Sequence, residues 1–282
     1  MRWLLLCCIL LWCDCLFGQT QISSRLESLG GSAIAINSLD NLFQNPANFN
    51  NPIEASKSHN FQILASYRPN LLHESLNETL FYSGMSFYNK FHVGIGGGGF
   101  NFFDVYKQSF LGVGISRNFG PGFKLGFAWN QFNFSIVDLE NYTYHQFHLG
   151  TSHIWNSKFQ TAFAVQLLNY DEISNSQNSH FKFTLGVLYQ VHSFLKIISD
   201  VRYSNQDNAF LDKVKGVDFN VGFEYSLIPD VLFIRGGMLK SRKSQHLGLA
   251  YRFSNFTFHV SGTHLRNHPL VPQIDIHYGK DW

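Results

Sequence analysis

The chain is 282 residues long, 45% hydrophobic and 16% aromatic, yet only 14% charged, against about 25% charged in an ordinary soluble domain. So few charges cannot wet the whole outside of a domain this size, and the aromatic load excludes a disordered chain. With 21 Lys and Arg against 19 Asp and Glu, there is no electrostatic footprint for nucleic acid, and no such partner is expected.

Residues 1–18 read as a secretory signal: Arg2, the apolar run Trp3–Trp12, then Gly18 before Gln19. All four cysteines (Cys7, Cys8, Cys13 and Cys15) lie in it, so the mature chain is expected to have neither a disulfide framework nor cysteine-ligated metal. Trp12 and Asp14, which flank Cys13, are not the small residues of a lipid-attachment site. After residue 18 no apolar run approaches the ~20 residues of a membrane helix. Residues 19–60 lack any period of two. They contain Leu29-Gly30-Gly31-Ser32-Ala33-Ile34-Ala35 and then Leu42-Phe43-Gln44-Asn45-Pro46-Ala47-Asn48-Phe49.

From Phe61 onward apolar and polar residues alternate, as in a ribbon with one greasy and one polar face. Phe181, Phe183, Leu185, Val187 and Tyr189 share one parity, with Lys182, Thr184, Gly186 and Gln190 on the other and Leu188 as the exception. The pattern predicts fourteen strands, at 61–68, 80–88, 91–102, 110–119, 123–137, 144–155, 159–169, 181–191, 195–204, 218–228, 231–239, 245–253, 256–265 and 272–279. Tight connections such as Asn89-Lys90 and Pro229-Asp230 alternate strictly with connections that mostly run to five residues or more. An even strand count with short turns at one end is the pattern of an outer-membrane barrel, apolar outside and small or polar within. A soluble sandwich needs a greasy core, and here the polar parity is Gly, Ala, Ser, Gln and charge. Tyr67, Phe91, Trp129, Trp155, Phe159, Tyr203, Tyr225, Phe253, Phe256 and Tyr278 near strand ends suit girdles at the two headgroup levels. The expected organisation is a signal at 1–18, a plug at 19–60 inside the lumen, and an all-β transmembrane barrel at 61–282. The barrel would sit in the outer membrane of a Gram-negative bacterium, in contact with its lipid and with both termini periplasmic. A parity slip at Asn130–Phe134 marks a place for a bulge and a lateral gap.

Gly30–Ala35 followed by Leu42-Phe43-Gln44-Asn45-Pro46-Ala47 resembles the N-terminal signature of the FadL superfamily of fourteen-stranded barrels. Together with Pro272-Gln273 before the last strand, it is similar to the PorV/PorQ-like branch of Bacteroidetes. Asn48-Phe49 departs from the Gly-Leu usual in the family. The resemblance implies that Asn45, Pro46 and Ala47 belong to a hatch in the lumen. It also implies either a protein-binding subunit of type IX-like secretion or surface assembly, as in PorV and PorQ, or FadL-like movement of a small hydrophobic molecule. The first is the main expectation, with outer-membrane or secreted proteins as partners; the second is the alternative.

Other motifs carry less. Gly94, Gly96 and Gly99 fit G-x-G-x-x-G, but no helix follows, so a closely approached strand is the better reading. His246, His259 and His277 share an inward parity and are read as hydrogen-bonding lumen residues, with no metal or other cofactor expected. Ser261, His259 and Asp275 could suggest a hydrolase, but Ser261 and His259 are two apart on one strand, about 7 Å, so no enzyme is expected. The polar lumen candidates are Arg235, Arg252, His259, Asp275 and His277, among mixed inward charges expected to pair.

Overall fold

The computed structural model describes residues 25, 29, 34–36, 38–49, 59–69, 76–88, 90–102, 106–120, 122–137, 141–170, 180–205, 216–240, 244–264 and 270–281. The expected signal at 1–18 lies outside them. The fourteen strands are β1 (His59–Pro69), β2 (Leu76–Phe87), β3 (Phe91–Phe102), β4 (Tyr106–Asn118), β5 (Phe123–Ile136), β6 (Tyr142–Asn156) and β7 (Phe159–Tyr170), then β8 (His180–His192), β9 (Leu195–Ser204), β10 (Gly216–Ile228), β11 (Leu232–Leu239), β12 (Ser244–Phe253), β13 (Phe256–His264) and β14 (Val271–Asp281). Each pairs antiparallel with its sequence neighbours, and β1 pairs with β14, so the sheet closes into a barrel with no free edge.

Parity decides which face is which. On β4, Leu111, Val113 and Ile115 are 60%, 51% and 58% exposed, while Gly112, Gly114 and Ser116 between them are buried. The same division holds on β8, where Phe183 and Leu185 face out and Thr184 and Gly186 face in. A continuous band of exposed aliphatic and aromatic side chains on a closed barrel is the surface that acyl chains solvate and water does not. Arg117 lies over the rings of Phe91 and Phe119, at 4.9 Å from each. There, at the tight-turn end, its stem can cover ring surface while the guanidinium reaches the headgroup level.

Several connections differ from the sequence reading. β2 and β4 each begin four residues earlier than expected, which leaves only residues 103–105 between β3 and β4. The slip at Asn130–Phe134 is not a bulge, because β5 keeps unbroken register with both β4 and β6. Register shifts instead sit beside tight turns, between Ile154 and Asn156, Gln190 and His192, and Ser226 and Ile228. The apparent slip has another cause. β4, β5 and β6 run 13, 14 and 15 residues, more than the roughly 9–11 that a tilted strand needs to cross hydrocarbon. Toward the long-loop end, beyond Trp129, their outward positions become Gln131, Asn133, Lys107 and Ser109 while the inward ones become Phe132, Phe134 and Phe110.

Candidate functional site: the occupied lumen

The inner segment is built on two short 3-10 turns, Leu39–Phe43 and Pro46–Asn48. Asn45 caps the second. Its Oδ1 accepts from the Ala47 amide at 3.1 Å, and Pro46 takes the first helical position, where a missing N–H costs nothing. The Asn45 Nδ2 donates to Ile34 O at 2.8 Å and to Thr151 O on β6 at 3.3 Å. Asn48 adds Nδ2 to Ile34 O at 2.7 Å, and its Oδ1 accepts from Ser152 at 2.8 Å. Ser38 N donates to Asn48 O at 2.9 Å, and Gln166 on β7 donates to Phe43 O at 2.9 Å. Backbone polar groups that meet no strand are thus satisfied by side chains inside the wall.

Glycine makes this contact possible. A methyl group on Gly150 would overlap Oδ1 of Asn45, and one on Gly126 would overlap the Pro46 carbonyl. Gly94 and Gly96 of the apparent nucleotide motif serve the same approach: they face Leu42, Phe49 and Phe43 from within β3. Asn45, Pro46 and Ala47 are therefore all buried against the inner wall.

The lumen divides into two chemically different halves. Around β1–β6, Leu39, Leu42, Phe43 and Phe49 of the inner segment pack with Leu64, Leu80, Tyr82, Phe110 and Phe132. Phe43 lies 6.0 Å from the Tyr82 ring, 5.9 Å from Phe110 and 5.9 Å from His148, and Phe132 stacks on Tyr144 at 4.5 Å. The gap beside this cluster, bounded by Glu78, Phe100 and Gln108, leaves no space for a water molecule. The sequence reading placed only small and polar groups inside and so missed this apolar half. Leu188, the exception on β8, belongs to a smaller inward cluster with Leu29, Ile36 and Ile198.

Across the lumen, β9–β14 supply charge. Glu224 accepts from Arg235 Nε at 2.8 Å and Lys196 Nζ at 3.1 Å, with Arg25 of the inner segment at 3.6 Å. Arg235 also donates to His259 Nδ1 at 2.8 Å, which leaves that nitrogen unprotonated. Asp275 lies opposite His259 in register, and the buried Gln273 beside it donates to Ser66 at 2.7 Å. His277 pairs with Gln62 at 3.2 Å, and Arg252 lies over the same Phe233 ring as Arg235, at 5.7 and 5.8 Å. All five polar candidates, Arg235, Arg252, His259, Asp275 and His277, thus line one side of the lumen together. His246 is held elsewhere by Ser244 and Thr263. Among the described residues, no three His, Cys, Asp or Glu side chains are placed to hold a metal ion. Ser261 and His259 do not form a nucleophile–base pair, because Ser261 Oγ has no hydrogen-bond partner among the described residues.

The closed barrel resembles solved outer-membrane transport barrels. The Pseudomonas putida toluene transporter TodX superposes with a TM-score of 0.62 over 94% of this chain and 98% of its own, at 10% identity. The monoaromatic hydrocarbon channel CymD gives 0.60 over 94% and 99% at 10% identity, and a Pseudomonas aeruginosa FadL homologue gives 0.55 over 90% and 96% at 10% identity. No protein-family model matches the chain, and no curated protein matches it. At such identity the likeness is one of fold.

Proposed function

We propose that this chain is a non-enzymatic outer-membrane channel for a small hydrophobic molecule, with the long loops outside the cell and both termini periplasmic. One observation carries the reading: around β1–β6 the barrel encloses an apolar chamber, filled by Phe43 and its neighbours. An apolar interior, unlike the polar lumen of a water-filled pore, suits a hydrophobic passenger. The fold shared with TodX and CymD, whose names describe hydrocarbon transport, supports the same choice. Because the chamber is full, Phe43 must move for cargo to pass. The segment that carries it is held by apolar packing and side-chain hydrogen bonds but joins no strand ladder, so it can shift while the barrel stays closed. Residues 38–49 therefore act as the hatch.

The test is uptake of radiolabelled toluene by cells producing the full chain, against the same cells with an empty vector. A several-fold faster initial rate is expected, and an unchanged rate overturns the proposal. The occupied lumen also favours a second reading, the PorV/PorQ-like secretion or surface-assembly subunit. Stoichiometric purification with a larger outer-membrane assembly, together with unchanged uptake, would select it.

A further inference from the structure

The outer wall at the tight-turn end carries a cation that the barrel itself leaves unpaired. Arg117 is the last outward residue of β4, and Ile115, Val113 and Leu111 on the same face belong to the apolar band. Its guanidinium carbon lies 4.9 Å from the ring of Phe91, its register partner on β3, and 4.9 Å from the ring of Phe119. Both rings are themselves exposed. The Arg117 side chain makes no hydrogen bond and no ion pair with any described residue. An arginine held against two rings is positioned before any ligand arrives, and it keeps its five N–H donors.

The charge around it has one sign. The tight-turn ends of β2–β7, residues 85–91, 116–125 and 153–161, contain Lys90, Arg117, Lys124 and Lys158 and neither Asp nor Glu. Lys124 is buried, while Lys90 and Lys158 are exposed. The Asn118 amide donates to the Lys90 carbonyl at 2.8 Å, which fixes the Lys90 turn beside Arg117. These cations stand where the acyl-solvated band ends, so the group that meets them is the head of a lipid whose chains lie on that band. A phosphodiester accepts from the paired donors of a guanidinium, and no carboxylate is at hand to receive an ammonium headgroup.

We propose that Arg117, with Lys90 beside it, binds one anionic phospholipid at the tight-turn rim, with Val93 and Ile115 at the start of its acyl track. The choice of phospholipid over lipid A rests on the periplasmic placement of the tight turns; the site is independent of what passes through the lumen. The experiment is native mass spectrometry of the full chain in detergent micelles, titrated with dioleoylphosphatidylglycerol, dioleoylphosphatidylcholine or lipid A. Heat-resistant migration in SDS gels checks that each variant is folded. One phosphatidylglycerol is expected to be held about fivefold more tightly than phosphatidylcholine. Arg117→Gln should weaken phosphatidylglycerol about fivefold, to the level of phosphatidylcholine. Lys107→Gln, which removes an exposed outward cation at the opposite rim, should change neither. Equal affinity for the two lipids overturns the proposal, as does full phosphatidylglycerol affinity in the folded Arg117→Gln barrel or an equal loss in Lys107→Gln. Tighter binding of lipid A than of phosphatidylglycerol would also overturn it, by assigning this rim to the other leaflet.

Discussion

Gly150→Ala gives the most direct test of how the inner segment is held. The added methyl would overlap Oδ1 of Asn45 and lie 2.9 Å from Cδ of Pro46, so the cap must shift. Asn45 then loses its bonds to Ile34 O, Thr151 O and Ala47 N. At about 0.5–1.5 kcal/mol each, the docked state is weakened by about 2–4 kcal/mol. Each 1.4 kcal/mol is tenfold, so the population with the segment displaced rises by at least about thirtyfold. The wall gains only a methyl, and the barrel should keep its heat-resistant migration in SDS gels. Limited proteolysis of folded protein reads the displaced population, provided cleavage is slow relative to redocking. A double-mutant cycle closes the test: in an Asn45→Ala background, Gly150→Ala should cost less than it does alone, because the Asn45 amide is gone and only the Pro46 contact remains. Wild-type proteolysis of Gly150→Ala, or full additivity in the cycle, would refute this account of the contact.

Phe43→Ala should cost about 3–5 kcal/mol by removing a buried ring, read as a lower unfolding midpoint in detergent, and should raise single-channel conductance in planar bilayers. Val113→Lys places a charge within the apolar band and should cost about 2–4 kcal/mol in refolding into vesicles. Ser109→Lys, at the same outward parity but beyond the band, should refold normally. Glu224→Gln leaves Arg235 buried without its carboxylate and should destabilise by about 3–5 kcal/mol. The double change Glu224→Leu with Arg235→Met should recover most of that, as measured by urea unfolding in micelles.

The strand ladder was legible because hydrocarbon outside and small or polar groups inside impose a period of two, and Phe91–Phe102 and Leu195–Ser204 fall on the expected residues. What escaped lies where the solvent outside changes. Past the edge of the apolar band Gln131 and Asn133 still face outward, but toward water, while Phe132 and Phe134 still face inward. The backbone alternation is intact; only its chemical meaning is inverted, which in sequence looks like a fault. The early starts of β2 and β4 were hidden in the same way, since Glu78 and Gln108 are inward polar residues next to Leu80 and Phe110. Asn45, Pro46 and Ala47 were found through the family resemblance, and their glycine partners on β5 and β6 were not. No local pattern ties Gly150 to a residue 105 positions earlier. Leu188 was visible as an exception, and its reason lay in residues of the inner segment.

The closure of β1 on β14 has a consequence for assembly. These ladders join stretches more than two hundred residues apart, so the seam between the first and last strands is the junction that unites the chain's two ends. The inner segment touches strands from β1 to β10, through partners such as Leu39 at Gly84 and Leu29 at Gly222. It therefore spans most of the cylinder's interior. Zipping the seam after it has settled imprisons it; zipping first would oblige some twenty residues to thread a mouth already narrowed by side chains. Biogenesis is simplest when a segment that precedes every strand becomes the mould around which the later hairpins are laid.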